Sequence, residues 1–174
     1  MFKYWPLVKK LTLREIKARY KQSFLGFFWI ILNPLFQMAI MSFVFSTILK
    51  ITNLGVHYPV FLYAGLLPWT FFANSLSSAT NVLVGNSALL KKIYFPREVL
   101  VLSTLLSKVF DFCLAFLVFI ILLLVFRIPM TLYMLLFIPI FVLQFLFTYG
   151  LSLLLSALNL FYRDIQYLFD LILT

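Results

Sequence analysis

Four apolar runs, at residues 27–49, 60–84, 99–126 and 132–160, decide what this chain can be. The first is 23 residues without a charge. As an α-helix it extends about 34 Å, enough to cross a hydrocarbon core of about 30 Å. The other three are longer. Hydrophobic side chains make up 64% of the chain and charged ones 11%, whereas a soluble domain carries about 25% charge. A water-soluble fold cannot hide that much apolar surface, and a transmembrane barrel would need short alternating strands around a polar lumen. The expected fold is an all-α polytopic membrane protein with four full transmembrane helices, in one domain over 1–174. A fifth apolar run starts at Ile165 and reaches Thr174, ten residues that are too few to cross.

The polar segments between these runs carry the orientation. The chain has a net charge of +9, which in a soluble protein would point to nucleic acid. Here the cations gather beside the apolar runs. If alternate connections face opposite sides, one side collects Lys3, Lys9, Lys10, Arg14, Lys17, Arg19, Lys21, Lys91, Lys92, Arg97 and Arg163, and the other only Lys50 and Arg127. An excess of Lys and Arg marks the cytoplasmic side, so the N-terminus is expected there. Two short charged islands join it, Lys91-Lys92-Ile93-Tyr94-Phe95-Pro96-Arg97-Glu98 and Tyr162-Arg163-Asp164. Pro96 lacks an N–H and restricts Phe95, so one helix stops and another starts there. The first island reads as a docking element through which an outside force moves the helices on either side.

Residues 1–26 form the long polar stretch of the chain. On a 3.6-residue period Lys3, Lys10, Arg14, Lys17 and Lys21 fall on one stripe. Leu7, Leu11 and Ala18 flank it on one side, and Leu13, Ile16 and Tyr20 on the other. Thr12, Glu15 and Arg19 occupy the back. This pattern predicts a basic helix lying along the headgroups, with a protein partner on its cytoplasmic face as the sharper reading. Gly26 marks the bend into the membrane.

Inside the runs the informative residues are few. The second half of the second run is small and polar, with Asn74, Ser77, Ser78 and Asn81; such residues either pack helices closely or line a polar pathway. Lys108 and Asp111 lie three apart in the third run and can face each other as an internal pair that orients the helix. Cys113 reads as a small buried apolar residue. With a single Cys and a single His, at 57, no metal set is expected. There is no G-x-x-x-x-G-K-[ST] phosphate cradle. The reading is of a membrane pathway with docking surfaces and no catalytic residues of its own.

Three stretches carry a family resemblance. Arg19-Tyr20-Lys21-Gln22-Ser23-Phe24-Leu25-Gly26, leading to Trp29 and Asn33-Pro34, resembles the approach to the first span of ABC-2-type permeases that export polysaccharides. The island from Lys91 to Leu100 is similar to their segment between spans two and three. Asn159-Leu160-Phe161-Tyr162-Arg163-Asp164-Ile165 is similar to their segment after span four. The resemblance implies six spans, so about two more beyond Thr174. It implies a homodimer of permeases with two ATP-binding subunits, ATP and Mg on those subunits and no cofactor on this chain. The substrate it implies is a lipid-linked glycan such as O-antigen or teichoic acid, crossing a bacterial inner membrane. It also implies that Lys91 to Glu98 forms a coupling helix against the ATPase. The interface helix would offer Lys10, Arg14, Glu15, Lys17, Tyr20 and Lys21, and Tyr162, Arg163 and Asp164 would support the same face. Two alternatives stand beside it: an ABC-2 exporter of drugs or small lipids, and a non-ABC membrane protein of lipid-linked glycan synthesis.

Overall fold

The computed structural model describes residues 4–20, 28–44, 58–92, 94–129 and 132–173. Lys21 and Ile93 of the expected site lie outside these residues, as do the bend at Gly26, Lys3, Lys50 and His57. The described chain is helical: α1 Trp5–Tyr20, α2 Phe28–Phe43, α3 Tyr58–Gly85, α4 Ser87–Lys92, α5 Glu98–Val125, a 3-10 turn Leu132–Leu136, α6 Phe137–Phe161 and α7 Ile165–Leu173. Two stretches, Glu98–Val125 and Met134–Phe161, are each 28 residues long and apolar enough to cross a membrane. At about 1.5 Å per residue each extends about 42 Å, the thickness of a bilayer with its headgroups.

Proline positions follow backbone chemistry. Pro6, Pro59 and Pro139 sit in first turns, where the missing N–H would have had no helical partner. Pro34 and Pro68 lie inside α2 and α3. A proline in a spanning helix disturbs the carbonyl ladder, and neighbouring helices must supply donors. The carbonyl that Pro68 deprives of its helical donor is that of Ala64, while Pro68's own carbonyl accepts from Gln144 Nε2 of α6 at 2.8 Å, which ties the two helices together beside the break. At its far end α5 closes with Arg127 at φ 52. Ile128 N–H then reaches the Leu123 carbonyl at 3.0 Å and Arg127 N–H that of Leu124 at 3.1 Å. This left-handed closure satisfies the last carbonyls, and Pro129 follows to stop the helix.

The centre of the bundle is α3, which packs against both α5 and α6 and also against α2. Two apolar clusters hold it. In the inner one Phe71 of α3, Phe112 of α5 and Phe141 of α6 meet: Phe112 stacks on Phe141 at 4.3 Å between ring centres, and Phe71 lies 5.4 Å and 5.2 Å from them. Offset and edge contacts at such spacings are favourable between rings. Tyr63 is buried beside them and its hydroxyl donates to the Ala115 carbonyl at 3.1 Å. Between α3 and α6, small residues are buried on both helices, Ser75 and Ala79 on one, Ser152 and Ser156 on the other. Close approach is what such side chains permit. Asn159 seals this contact, donating to the Thr80 carbonyl at 3.0 Å and to Asn81 Oδ1 at 3.2 Å. The second cluster lies at the basic end of the bundle, where Val8 and Leu11 of α1 join Val82 and Leu83 of α3 and Phe95, Val99 and Leu100.

Phe112→Ala is expected to lower stability by about 3 kcal/mol, because it opens a cavity at the three-ring contact. Reversible unfolding of the purified protein in mixed micelles measures it; Leu117→Ala, at an exposed position on the same helix, serves as the control with a small effect.

Candidate functional site

Three polar elements meet at one end of the bundle. α1 and the segment from α4 to the start of α5 share the apolar cluster around Phe95. Arg14 adds a hydrogen bond to Asn86 Oδ1, in the α3–α4 turn, at 2.8 Å. The contact of Asn159 with Thr80 and Asn81 brings the end of α6, and so the turn Tyr162-Arg163-Asp164 just beyond it, beside the end of α3. Lys9, Lys10, Arg14, Lys17, Lys91, Lys92, Arg97 and Arg163 are all exposed there.

The island between α3 and α5 corrects the expectation of one coupling helix over residues 91–98. α4 is six residues and ends at Lys92; Tyr94, Phe95 and Pro96 are not helical, Arg97 is a turn, and Glu98 opens α5. The cause is Pro96, which disfavours helical backbone at Phe95. Its two aromatics also part company. Tyr94 is fully exposed at 103%, while Phe95 is 7% exposed in the α1 cluster. Phe95 therefore anchors the island, and Tyr94 with Lys91, Lys92, Arg97 and Glu98 forms its outer face.

α1 departs further from expectation. It packs along α5, and through the face opposite its basic stripe. Thr12 Oγ1 donates to the Ser103 carbonyl at 3.2 Å. Glu15 accepts from Thr104 Oγ1 at 2.7 Å and Ser107 Oγ at 3.0 Å. Arg19 forms an ion pair with Asp111 and donates to Ser107 Oγ. Residue numbers on the two helices rise together, so α1 runs parallel to α5 for about two turns. Thr12, Glu15 and Arg19, assigned by the sequence to the back of the helix, are the face that is packed. Ser103, Ser107 and Asp111 recur every four residues, so they line one face of α5. Such a face needs donors and acceptors in a low-dielectric setting. Glu15 is thus turned toward α5, while Lys10, Arg14 and Lys17 remain on the exposed side. Tyr20 ends the helix.

The expected Lys108–Asp111 pair is also revised, because Asp111 takes Arg19 as its ion-pair partner. Lys108 instead lines an open cavity of about 750 Å3 between α2, α3 and α5. Of the four pathway candidates, Asn74 lines this cavity. Asn81 is held by Asn159 in the α3–α6 contact. Ser77 and Ser78 are half-buried on α3 and not part of the cavity wall. Trp29, Gln37 and Trp69 also line the cavity and were not among the expected site residues; their signal is an amide and two indoles set in otherwise aliphatic and phenyl-rich runs, Trp29 near the start of its run and Gln37 and Trp69 near the middle of theirs. Cys113 is exposed, not buried, on the outside of α5. Among the described residues no cluster of His, Cys, Asp and Glu could hold a metal.

An all-α domain with membrane-length helices and a cationic end is the framework of an integral membrane protein. The sequence profile of the ABC-2 type transporter family matches residues 6–174, and the chain belongs to that family of membrane proteins. It is similar to the O-antigen export system permease protein RfbA of Klebsiella pneumoniae, 34% identical over 93% of this chain and 62% of that protein. The protein of the same name from Myxococcus xanthus is 32% identical over 100% of this chain and 66% of its own length. The polysialic acid transport protein KpsM of Escherichia coli is 33% identical over 58% of this chain and 38% of its own. The chain thus spans just under two thirds of the length of the O-antigen relatives it matches.

The parallel docking of α1 on α5 predicts a cross-link. In a Cys113→Ser background, Thr12→Cys with Ser103→Cys is expected to join through a short bifunctional maleimide, seen as a gel shift after proteolysis between them. Lys17→Cys with Ser103→Cys is expected not to join.

Proposed function

We propose that this chain is the permease subunit of an ATP-driven exporter that moves a lipid-linked polysaccharide, of the O-antigen or teichoic-acid kind, across a bacterial inner membrane. The observation that carries the reading is the gathering of α1, the island around Tyr94 and the Tyr162-Arg163-Asp164 turn at one cationic end. The printed activities of the relatives, O-antigen export and polysialic acid transport, support the substrate class. An excess of Lys and Arg assigns this end to the cytoplasm, so the N-terminus is cytoplasmic. α2, α3, α5 and α6 serve as the spanning helices and α7 as the start of a fifth.

The permease works as a homodimer with two ATP-binding subunits, which hold ATP and Mg and supply the energy. The island is the grip. Tyr94 stands out from it as an aromatic anchor, of the residue type that dominates interface energetics, and Lys91, Lys92 and Arg97 set charge complementarity with the partner. Phe95, wedged among Val8, Leu11 and Val99, passes a push on Tyr94 to α1 and α5. The seam of Glu15, Arg19, Ser107 and Asp111 makes α1 and α5 move as one body. The polymer then passes between helices of the dimer. This chain performs no catalysis.

Tyr94→Ala with Arg97→Ala is expected to cut glycan-stimulated ATPase activity of the purified complex about tenfold or more while leaving membrane insertion intact. Phe95→Ala is expected to differ, lowering the amount of folded permease first. Wild-type stimulation in the double variant would remove the proposed grip, and purification of the permease with no ATP-binding subunit would remove the exporter reading.

A further inference from the structure

The cavity between α2, α3 and α5 has features that helix packing does not require. It is an open cavity of about 750 Å3 whose wall includes Trp29, Asn33, Gln37, Trp69, Asn74 and Lys108, with the Arg19 guanidinium and the Asp111 carboxylate beside Lys108 and Leu173 of α7 at its edge. Trp29 is 47% exposed and Trp69 48%, so much of each indole is open to a ligand. Asn33, Gln37 and Asn74 are exposed as well. The charges around Lys108 are Arg19, Asp111 and Glu15. Each of these three already has a partner, Asp111 and Ser107 for Arg19 and the Thr104 and Ser107 hydroxyls for Glu15. Lys108 itself makes no hydrogen bond or close ion pair among the described residues. Lys108 lies 19 residues before Arg127, about 28 Å of helix, so with Arg127 at one boundary of a hydrocarbon core of about 30 Å Lys108 comes to the other, on the basic end.

These groups fit one kind of ligand. An ammonium binds phosphate oxygens as a point charge. Side-chain amides both donate to and accept from hydroxyls. Flat indole faces cover the apolar face of a sugar ring. Ile40, Met41 and Ala115 continue the wall as apolar surface, along which an acyl or prenyl chain can run. We propose that this cavity is a headgroup subsite: Lys108 holds the phosphate of a lipid-linked saccharide, Asn33 and Asn74 bind its first sugar, and Trp29 and Trp69 flank it. The inference rests on the exporter reading above and names the part of the substrate that this cavity takes.

The test uses the full permease–ATPase complex in micelles, with 5-hydroxytryptophan incorporated into the permease alone and Phe at every permease tryptophan but 29 and 69, so that its red-shifted emission reports on Trp29 and Trp69. A polyprenyl phosphate sugar is titrated in, with the neutral polyprenol, phosphatidylglycerol and inorganic phosphate as separate arms. The expected result is a saturable emission change with the phosphate sugar, about tenfold weaker in Lys108→Gln and restored in Lys108→Arg. Polyprenol and phosphatidylglycerol are expected to give no saturable change, and millimolar inorganic phosphate no competition. Undiminished binding in Lys108→Gln overturns the subsite. So does equal binding of polyprenol or phosphatidylglycerol, which would mark a site for any lipid, or competition by inorganic phosphate, which would mark a free-anion site. A folded Lys108→Gln complex that retains its ATPase while binding normally sinks this inference alone; absence of the ATPase from the wild-type preparation sinks the exporter reading.

Discussion

The arrangement depends on the polar seam between α1 and α5. Here Thr12, Glu15 and Arg19 meet Ser103, Thr104, Ser107 and Asp111 turn by turn. Every acid on this face has a donor and Arg19 has an acceptor, so the desolvation cost of each group is offset by its neighbour. Removing one member leaves an uncompensated charge, which costs more than the pair contributes. Such a seam fixes register and direction in a way that the leucines of α1 alone do not.

The seam links outer surface to inner cavity. Phe95 ties the exposed Tyr94 to α1 and α5. Arg19 lies on the cavity wall and also clamps Asp111. Lys108, one turn from Asp111, faces the same space. In the proposed mechanism a displacement at the basic end would reach the cavity through two packed helices and one ion pair. A ligand at Lys108 would change the electrostatics of that same pair. Coupling of this kind needs only a short contiguous network with two arrangements.

Much of the architecture was legible because apolar runs are long and charges rare. Helices α3, α5 and α6 occupy the runs that composition picks out, and Pro96 announces the break before α5. The faces were harder to read. Periodicity put Lys10, Arg14 and Lys17 on a common stripe, and they are indeed exposed. It could not tell that the opposite polar face would be the one that packs, because the contacts of Glu15 and Arg19 depend on hydroxyls almost ninety residues away. The same holds for Asp111, whose near neighbour Lys108 is the obvious partner by spacing while Arg19 is the one that reaches it. Phe95 and Tyr94 look alike in sequence; only the tertiary contact separates the anchor from the exposed ring. The cavity draws on α2, α3 and α5, and no single run announces it.

The most direct measurement concerns the side on which the basic end lies. Tyr94→Cys in a Cys113→Ser background gives one reactive thiol at that end, and a membrane-impermeant maleimide reads its exposure. Labelling in inverted vesicles and protection in intact cells, with further protection when the ATP-binding subunit is present, is the predicted result. Labelling from outside intact cells would contradict the account.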